Sequence, residues 1–155
     1  MPSLVKGGKY VFGWSRVGEE GNIAIPPEAI EEYGLKDAAK VILMSGSKES
    51  GGFGLTTMKL LRNTSIGAVL EEDMRLSRFE ATEGEAVGIG SRTYCWVSMQ
   101  DNGVFSVPLK TLIDYGIEPR DKLLVVRGSG RALGFIVRGL IVDEAERHEE
   151  IEIFE

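Results

Sequence analysis

The chain has 155 residues, of which 18 are Lys or Arg and 24 are Asp or Glu, so its formal net charge is −6. A hydrophobic content of 43% with 27% charged residues is typical of a globular protein and excludes a wholly disordered chain. The acidic balance argues against a generic nucleic-acid coat, because non-specific DNA affinity comes from cations that neutralise phosphates. One cysteine, Cys95, and one histidine, His148, leave neither an intramolecular disulfide nor a Cys/His zinc site.

The first half of the chain predicts two β-hairpins separated by a short helix. The predicted elements are strands over 10–16 and 22–25, a helix over 27–33, and strands over 41–44 and 53–57. These strands are rich in aromatic and β-branched residues, and glycine-containing turns separate them. Pro26 has no N–H to donate to a ladder and suits the start of a helix, whereas Gly34 can adopt the left-handed conformation that ends one.

The same order of elements returns after a connector. The connector is predicted to hold a helix over 74–81 and an exposed, acidic, glycine-rich loop over 82–90. The later predicted elements are strands over 93–99 and 104–107, a helix over 109–115, strands over 123–126 and 135–138, and a helix over 142–148. An end that alternates acidic and apolar residues, 149–155, follows.

A shift of 82 residues aligns the two halves without a gap and predicts an internal repeat. The identical positions are Trp14/Trp96, Gly21/Gly103, Pro26/Pro108, Tyr33/Tyr115, Gly34/Gly116, Lys40/Lys122, Gly46/Gly128, Ser47/Ser129, Gly52/Gly134 and Phe53/Phe135. A unit of about 50 residues has too little core to stand alone, so we favour two interleaved units in one pseudo-twofold body over two adjacent domains. The predicted divisions are a first repeat over 8–62, a connector over 63–91, a second repeat over 92–142 and an acidic tail over 143–155.

The segment Gly-Asn-Ile-Ala-Ile-Pro-Pro-Glu-Ala-Ile-Glu-Glu-Tyr-Gly-Leu-Lys (21–36) and its counterpart 103–118 resemble the core motif of the SpoVT/AbrB family. That motif runs from a turn glycine through an apolar strand and a proline to a short helix, which ends at a Gly-Ile pair. The resemblance covers about 100 residues in two copies. It implies a mainly β fold with short helices, a swapped-hairpin β-barrel. It also implies sequence-specific binding of double-stranded DNA by a transcription regulator or an antitoxin.

The resemblance also implies where DNA contacts lie: near the first strand, after the turn glycine and on the short helix. The candidate DNA-binding residues at those positions are Lys6, Lys9, Arg16, Asn22 and Lys110. The arginine that the family places after the turn glycine is Asn22 in one copy and Val104 in the other. The family's basic helix residues are replaced by Glu31, Glu32, Ile113 and Asp114. A second hypothesis therefore stays open, in which the same barrel is a protein-interaction module without DNA binding.

Charge is distributed unevenly along the chain. The net charge is +3 over 1–16, −5 over 17–39, +3 over 40–62, +4 over 119–142 and −6 over 143–155. The tail is therefore as acidic as the whole chain. This charge predicts that the tail is a solvated, partly frayed terminus. The alternative is that the tail contacts a protein partner, as antitoxin tails do. A homo-oligomer would supply a second DNA half-site.

The sequence offers no catalytic constellation, metal site or cofactor motif. His148, the only base for a hydrolytic triad, lies in the acidic tail, and Cys95 lies inside a predicted strand where a buried, inert thiol is expected. The Gly-x-Gly at 128–130 lacks the following helix and lysine of a phosphate-binding loop. No apolar run approaches a signal peptide or a membrane span of about 20 residues. We therefore expect a non-enzymatic, cytoplasmic protein.

Overall fold

A computed structural model of the chain describes residues 8–155 and is mostly sheet, with ten strands and five short helices among these residues. The strands are β1 (Val11–Arg16), β2 (Asn22–Ala24), β3 (Lys40–Ser45), β4 (Phe53–Thr56), β5 (Val87–Ile89), β6 (Arg92–Ser98), β7 (Val104–Ser106), β8 (Lys122–Ser129), β9 (Ala132–Ile136) and β10 (Ile153–Phe154). The helices are α1 (Pro27–Glu32), α2 (Ser65–Glu71), α3 (Met74–Ser77), α4 (Leu109–Asp114) and α5 (Leu140–Ala145). The predicted mainly β class is confirmed.

Eight strands form one sheet in the order β10-β1-β8-β9-β4-β3-β6-β5, and β2 pairs with β7 in a second, two-stranded sheet. At the 82-residue shift, β1, β8 and β9 correspond to β6, β3 and β4. The strand order from β1 to β6 is therefore symmetric about the β9·β4 pair. The registers agree, because Trp14 lies opposite Leu124 in β1·β8 and Trp96 lies opposite Ile42 in β3·β6. Strands of the two halves are thus neighbours at β1·β8, β9·β4 and β3·β6, whereas β8·β9 and β3·β4 pair within one half. The sheet ends at β10 and β5, so the described residues do not form the closed barrel that the sequence predicted.

Short backbone links join the two halves around the β2·β7 pair. The N–H of Ile25 donates to the carbonyl of Gly103, and the N–H of Val107 donates to that of Gly21, each at 3.0 Å. Gly21 has a φ of +85°, and a Cβ there would lie 2.1 Å from the carbonyl oxygen of Val107. The turn glycine of the motif is therefore required both by its backbone conformation and by the close approach of the other half.

The main core lies between the inner face of the large sheet and the β2·β7 pair with α1 and α4. At its centre, the rings of Phe53 and Phe135 stack with centroids 4.9 Å apart, and Phe105 packs edge-on against both. All three side chains are fully buried. Phe53 lies directly opposite Phe135, and Phe105 directly opposite Ile23, so both sheets are centred on pairs of equivalent residues. We call the line through these two pairs the pseudo-dyad.

The outer face of the large sheet is covered at its two sides. The connector helices α2 and α3 pack Leu70 and Leu76 against β3 and β6, and α5 packs Val142 and Ala145 against β1 and β8. Between these covers, the outer face over β4 and β9 stays open. There Gly54 lies opposite Gly134, and neither residue has a side chain to fill the space.

Several local predictions in the connector and the last third of the chain differ from the structure. The helix predicted over 74–81 ends earlier, as α3, and the predicted loop 82–90 contains β5, whose short edge pairs with β6. Strand β9 begins at Ala132 and α5 at Leu140, earlier than predicted. The tail does not fray, because β10 pairs with β1 and Ile151 is buried.

The turn before β10 contains a small charged cluster that gives a pH prediction. His148 lies between the carboxylates of Glu150 (2.7 Å) and Glu144 (3.3 Å), which raise the pKa of its imidazole above the usual value. A raised folded-state pKa stabilises the fold below the unfolded pKa of about 6.5, and this contribution is lost as the pH rises through the folded pKa. We expect the difference in thermal midpoint between the native chain and His148→Gln to be larger at pH 6 than at pH 8.5. An equal difference at both pH values would contradict the role of the ion pairs.

Candidate nucleic-acid interface

The structure separates the DNA-binding residues predicted from the sequence. Lys6 lies outside the described residues. Lys9 is exposed just before β1, and Lys110 is exposed in the first turn of α4. Arg16, at the end of β1, and the exposed Asn22, at the start of β2, line one shallow pocket.

The surface that the family resemblance points to consists of the β1–β2 turn, β2, α1 and their counterparts in the second half; we call it the family face. Carboxylates lie beside two cations at this face, whereas the exposed Lys110 forms no ion pair within residues 8–155. Arg16 has the carboxylate of Glu155 at 3.9 Å from its Nε, and Arg120 pairs with Glu19. A cation that is paired with a carboxylate has less net attraction for phosphate, so this face is poorly suited to DNA.

Helix α4 adds exposed apolar side chains to the family face. Leu109 and Ile113 are one turn apart, and Ile113 is 69% exposed. At the equivalent positions α1 carries Pro27 and Glu31. The exposed Lys110 on α4 is therefore the only basic side chain that these two helices carry.

A different surface brings unpaired cations together. The open outer face over β4 and β9 forms a groove of about 440 Å³, which we call the dyad groove because it lies over the Phe53·Phe135 pair. Its lining includes serines and glycines of the β3–β4, β5–β6 and β8–β9 turns, with Met44 and Ile136 on its floor. Lys48 and Arg92 are its only charged lining residues, and no carboxylate lines it.

Three exposed cations surround one end of the dyad groove, and we call them the Lys48 triad: Lys48, Arg92 and Arg138. Arg138 donates from Nη2 to the carbonyl of Lys48 at 2.7 Å, which holds the segment after β9 against the β3–β4 turn. The backbone N–H groups of Val137 and Arg138 both donate to the carbonyl of Ser50 and fix the same contact. This end is thus rigidly built from both halves of the chain.

The opposite end carries the Arg131 triad, which consists of Lys59, Arg62 and Arg131, all exposed. Arg131 donates from Nη1 to the carbonyls of Leu60 (3.1 Å) and Arg62 (3.3 Å), so the β8–β9 turn is tied to the segment after β4. Lys59 and Arg131 also line a common pocket beside this turn. Seven residue steps lead from Arg131 through β9 to Arg138, which at about 3.3 Å per step places the two triads at most about 23 Å apart.

The two triads differ electrostatically from the family face. Within residues 8–155, no carboxylate oxygen lies within 4.0 Å of a charged nitrogen of these six side chains. Sequence reasoning did not name them as DNA-binding residues, although the positive charge of segments 40–62 and 119–142 includes five of the six; Arg92 lies outside both segments. What could not be foreseen is that the hairpin turns of the two segments flank one groove.

No catalytic or metal chemistry is apparent among the described residues. Burial raises the pKa of the Cys95 thiol to about 11, although the hydroxyl of Tyr115 lies 3.7 Å away and opposes this shift. Such a thiol stays protonated and unreactive at neutral pH. Residues 8–155 contain no cluster of three or more His, Cys, Asp or Glu side chains that could hold a metal ion, and no helix among them has the length and hydropathy to cross a membrane.

Comparisons with known proteins assign no family. No family model matches the sequence, and neither the curated proteins nor the solved structures include one that matches it.

Proposed function

We propose that the protein is a SpoVT/AbrB-like, DNA-binding transcription regulator that carries two swapped-hairpin units in one chain. The strand order that reads the same from both sides, and the matching registers of β1·β8 and β3·β6, support this plan. So do the reciprocal hydrogen bonds of Ile25 and Val107 to the turn glycines of the opposite half. The chain alone would then correspond to a dimer of single-unit proteins.

The observation that carries the DNA-binding proposal is the pair of cation triads at the two ends of the dyad groove. Their separation of up to about 23 Å exceeds the major-groove width of about 12 Å, so the two triads can contact phosphates on both sides of that groove. No carboxylate lines the dyad groove beside Lys48 and Arg92, and Glu32, which shares a pocket with Lys59 and Arg131, is paired with Arg127. The cations of both triads can therefore replace condensed counterions. DNA binding is therefore proposed at the dyad groove rather than at the family face.

Selection from a pool of random duplex DNA at low salt tests the proposal. We expect an enriched sequence and a bound fraction that falls steeply with salt. If all six cations contact phosphates, the slope of log K against log salt is about −5. A selection that enriches no sequence, or binding that is indifferent to salt, would contradict DNA binding.

A protein-interaction module is the second candidate, and exposed Leu109 and Ile113 on α4 favour it. Together with the carboxylates of the family face, they would suit a partner that is basic and apolar. The antitoxin-like version, in which the tail binds the partner, is less well supported because Ile151 is buried against this chain. An empty DNA selection would leave this candidate as the better proposal.

A further inference from the structure

The C-terminal residues occupy the outer edge of β1 as a strand. Trp14 lies opposite Ile153 and Ser15 opposite Phe154 in a parallel pairing, and the N–H of Trp14 donates to the carbonyl of Glu152 at 2.9 Å. Ile151 is 4% exposed and joins the cluster that contains Trp14. The edge of β1 is thus covered by a segment in which Ile151 and Phe154 pack against the sheet between acidic residues.

Gly13 leaves space on this edge for the aromatic ring of the strand that covers it. A Cβ at Gly13 would lie 2.7 Å from Cε2 of Phe154 and 3.0 Å from the carbonyl oxygen of Glu152. The aromatic ring therefore lies over bare backbone, where any larger residue would push it away. Arg16, with Glu155 at 3.9 Å, adds a charge contact at the end of the same edge.

The end of the tail, residues 151–155, is attached to α5 through a short hinge, residues 146–150. Lys122 contacts Glu146 at 3.3 Å, and His148 bridges Glu144 and Glu150. Only two residues of the tail belong to the β ladder, so few backbone bonds resist its release. Every contact that the tail makes with β1 can be made equally by the identical tail of another molecule, and exchange of a terminal element is a low-cost route to dimers.

We propose that the outer edge of β1 is a strand-docking site whose second occupant is the C-terminal strand of another copy of this chain. Two copies then exchange tails and form a dimer through the reciprocal contacts of Gly13 with Phe154 and of Arg16 with Glu155. This inference does not depend on DNA binding, because β1 and the tail lie outside the dyad groove.

Shortening the hinge tests the exchange in the otherwise full chain. Deletion of Glu149 and Glu150 removes about 7 Å of extended reach, so the tail no longer returns to its own β1 but can still reach another copy. We expect this variant to sediment as a dimer under conditions where the native chain is mainly monomeric. Adding Phe154→Ala to the deletion should weaken dimerisation by at least about tenfold, because the aromatic anchor is lost. Glu150→Gln, which breaks an ion pair at full hinge length, is the matched control and should stay monomeric.

A monomeric deletion variant, or a dimer that survives Phe154→Ala unchanged, would overturn the proposal. If the deletion variant does not unfold cooperatively, native chains with two different tags are mixed at high protein concentration, incubated and diluted. Recovery of one tag with the other, reduced by Phe154→Ala, supports exchange. No co-recovery, or recovery unaffected by the substitution, overturns it.

Discussion

Changing Lys48 and Arg92 together to glutamine should lower the affinity of the protein for duplex DNA by about tenfold or more and flatten its salt dependence. Each phosphate contact contributes about 0.9 to the slope of log K against log salt, so losing two contacts should reduce the slope by about 2. Both side chains line the dyad groove, are exposed and lack a carboxylate partner, so the fold should tolerate the change. Fluorescence anisotropy titrations at several salt concentrations measure both quantities, and a thermal melt checks the fold.

The matched control removes the same charge from positions outside the dyad groove. Lys9→Gln combined with Lys110→Gln takes two exposed cations from the sequence-predicted positions. We expect its affinity and salt slope to stay close to those of the native protein. If this variant loses DNA binding while the Lys48 and Arg92 variant keeps it, the interface lies on the family face. Equal, small losses in both variants would show that only overall charge matters.

Replacing Phe135 with alanine should destabilise the protein by about 3–5 kcal/mol. The side chain is fully buried, stacks on Phe53 at 4.9 Å and contacts Phe105 edge-on, so its removal opens a cavity where both sheets meet. A loss of this size is a large fraction of the 5–15 kcal/mol that domains usually have. Urea unfolding followed by tryptophan fluorescence measures the change.

Ile113→Ala is the control for that prediction. Ile113 is 69% exposed, so its truncation should change the free energy of unfolding by less than about 0.5 kcal/mol. A loss for Phe135→Ala as small as this would mean that the centre of the core relaxes around the missing ring. It would also contradict the idea that the stacked pair holds the two halves together.

The sequence predicted the repeated elements well because each carries its own local signal. Pro26 and Gly34 bound α1 as expected, and the N–H of Leu35 returns to the carbonyl of Ile30 at 2.9 Å across the left-handed glycine. The equivalent bond runs from Ile117 to Leu112 in the second half. Turn glycines and helix-ending glycines depend on nearby residues only, which is why single-sequence reasoning finds them.

The connector was harder, since its elements depend on distant contacts. Helix α2 contains Gly67, a residue that disfavours helices, yet a Cβ there would lie 2.0 Å from the carbonyl oxygen of Leu61. The local signal that could have found the helix is Thr64, whose hydroxyl accepts the N–H of Gly67 at its start. Strand β5 has three residues including a glycine and forms because β6 pairs with it.

The candidate interface could not be predicted from the resemblance, because the charged partners of each cation are set by the tertiary fold. Arg16 looked free in the sequence and lies beside Glu155, which is 139 residues away along the chain. Arg131 and Arg138 contributed to the +4 charge of segment 119–142 in the sequence, and in the structure they lie at the two ends of β9. Net charge by segment pointed to five of the six triad residues without indicating that they share a surface.

The pairing of strands between the two halves has a consequence for assembly. In a protein built from separate subunits, pairs such as β1·β8 and β3·β6 would form only above a threshold concentration, and the folded state would disappear on dilution. Here residues 63–91 tether the partners, so these pairs form at a high local concentration that dilution does not change. The tether also joins two halves of different sequence in every molecule. The Lys48 triad therefore always lies at one end of the dyad groove and the non-equivalent Arg131 triad at the other. A molecule with unlike ends has a direction, and a duplex bound across it would be read in one orientation only.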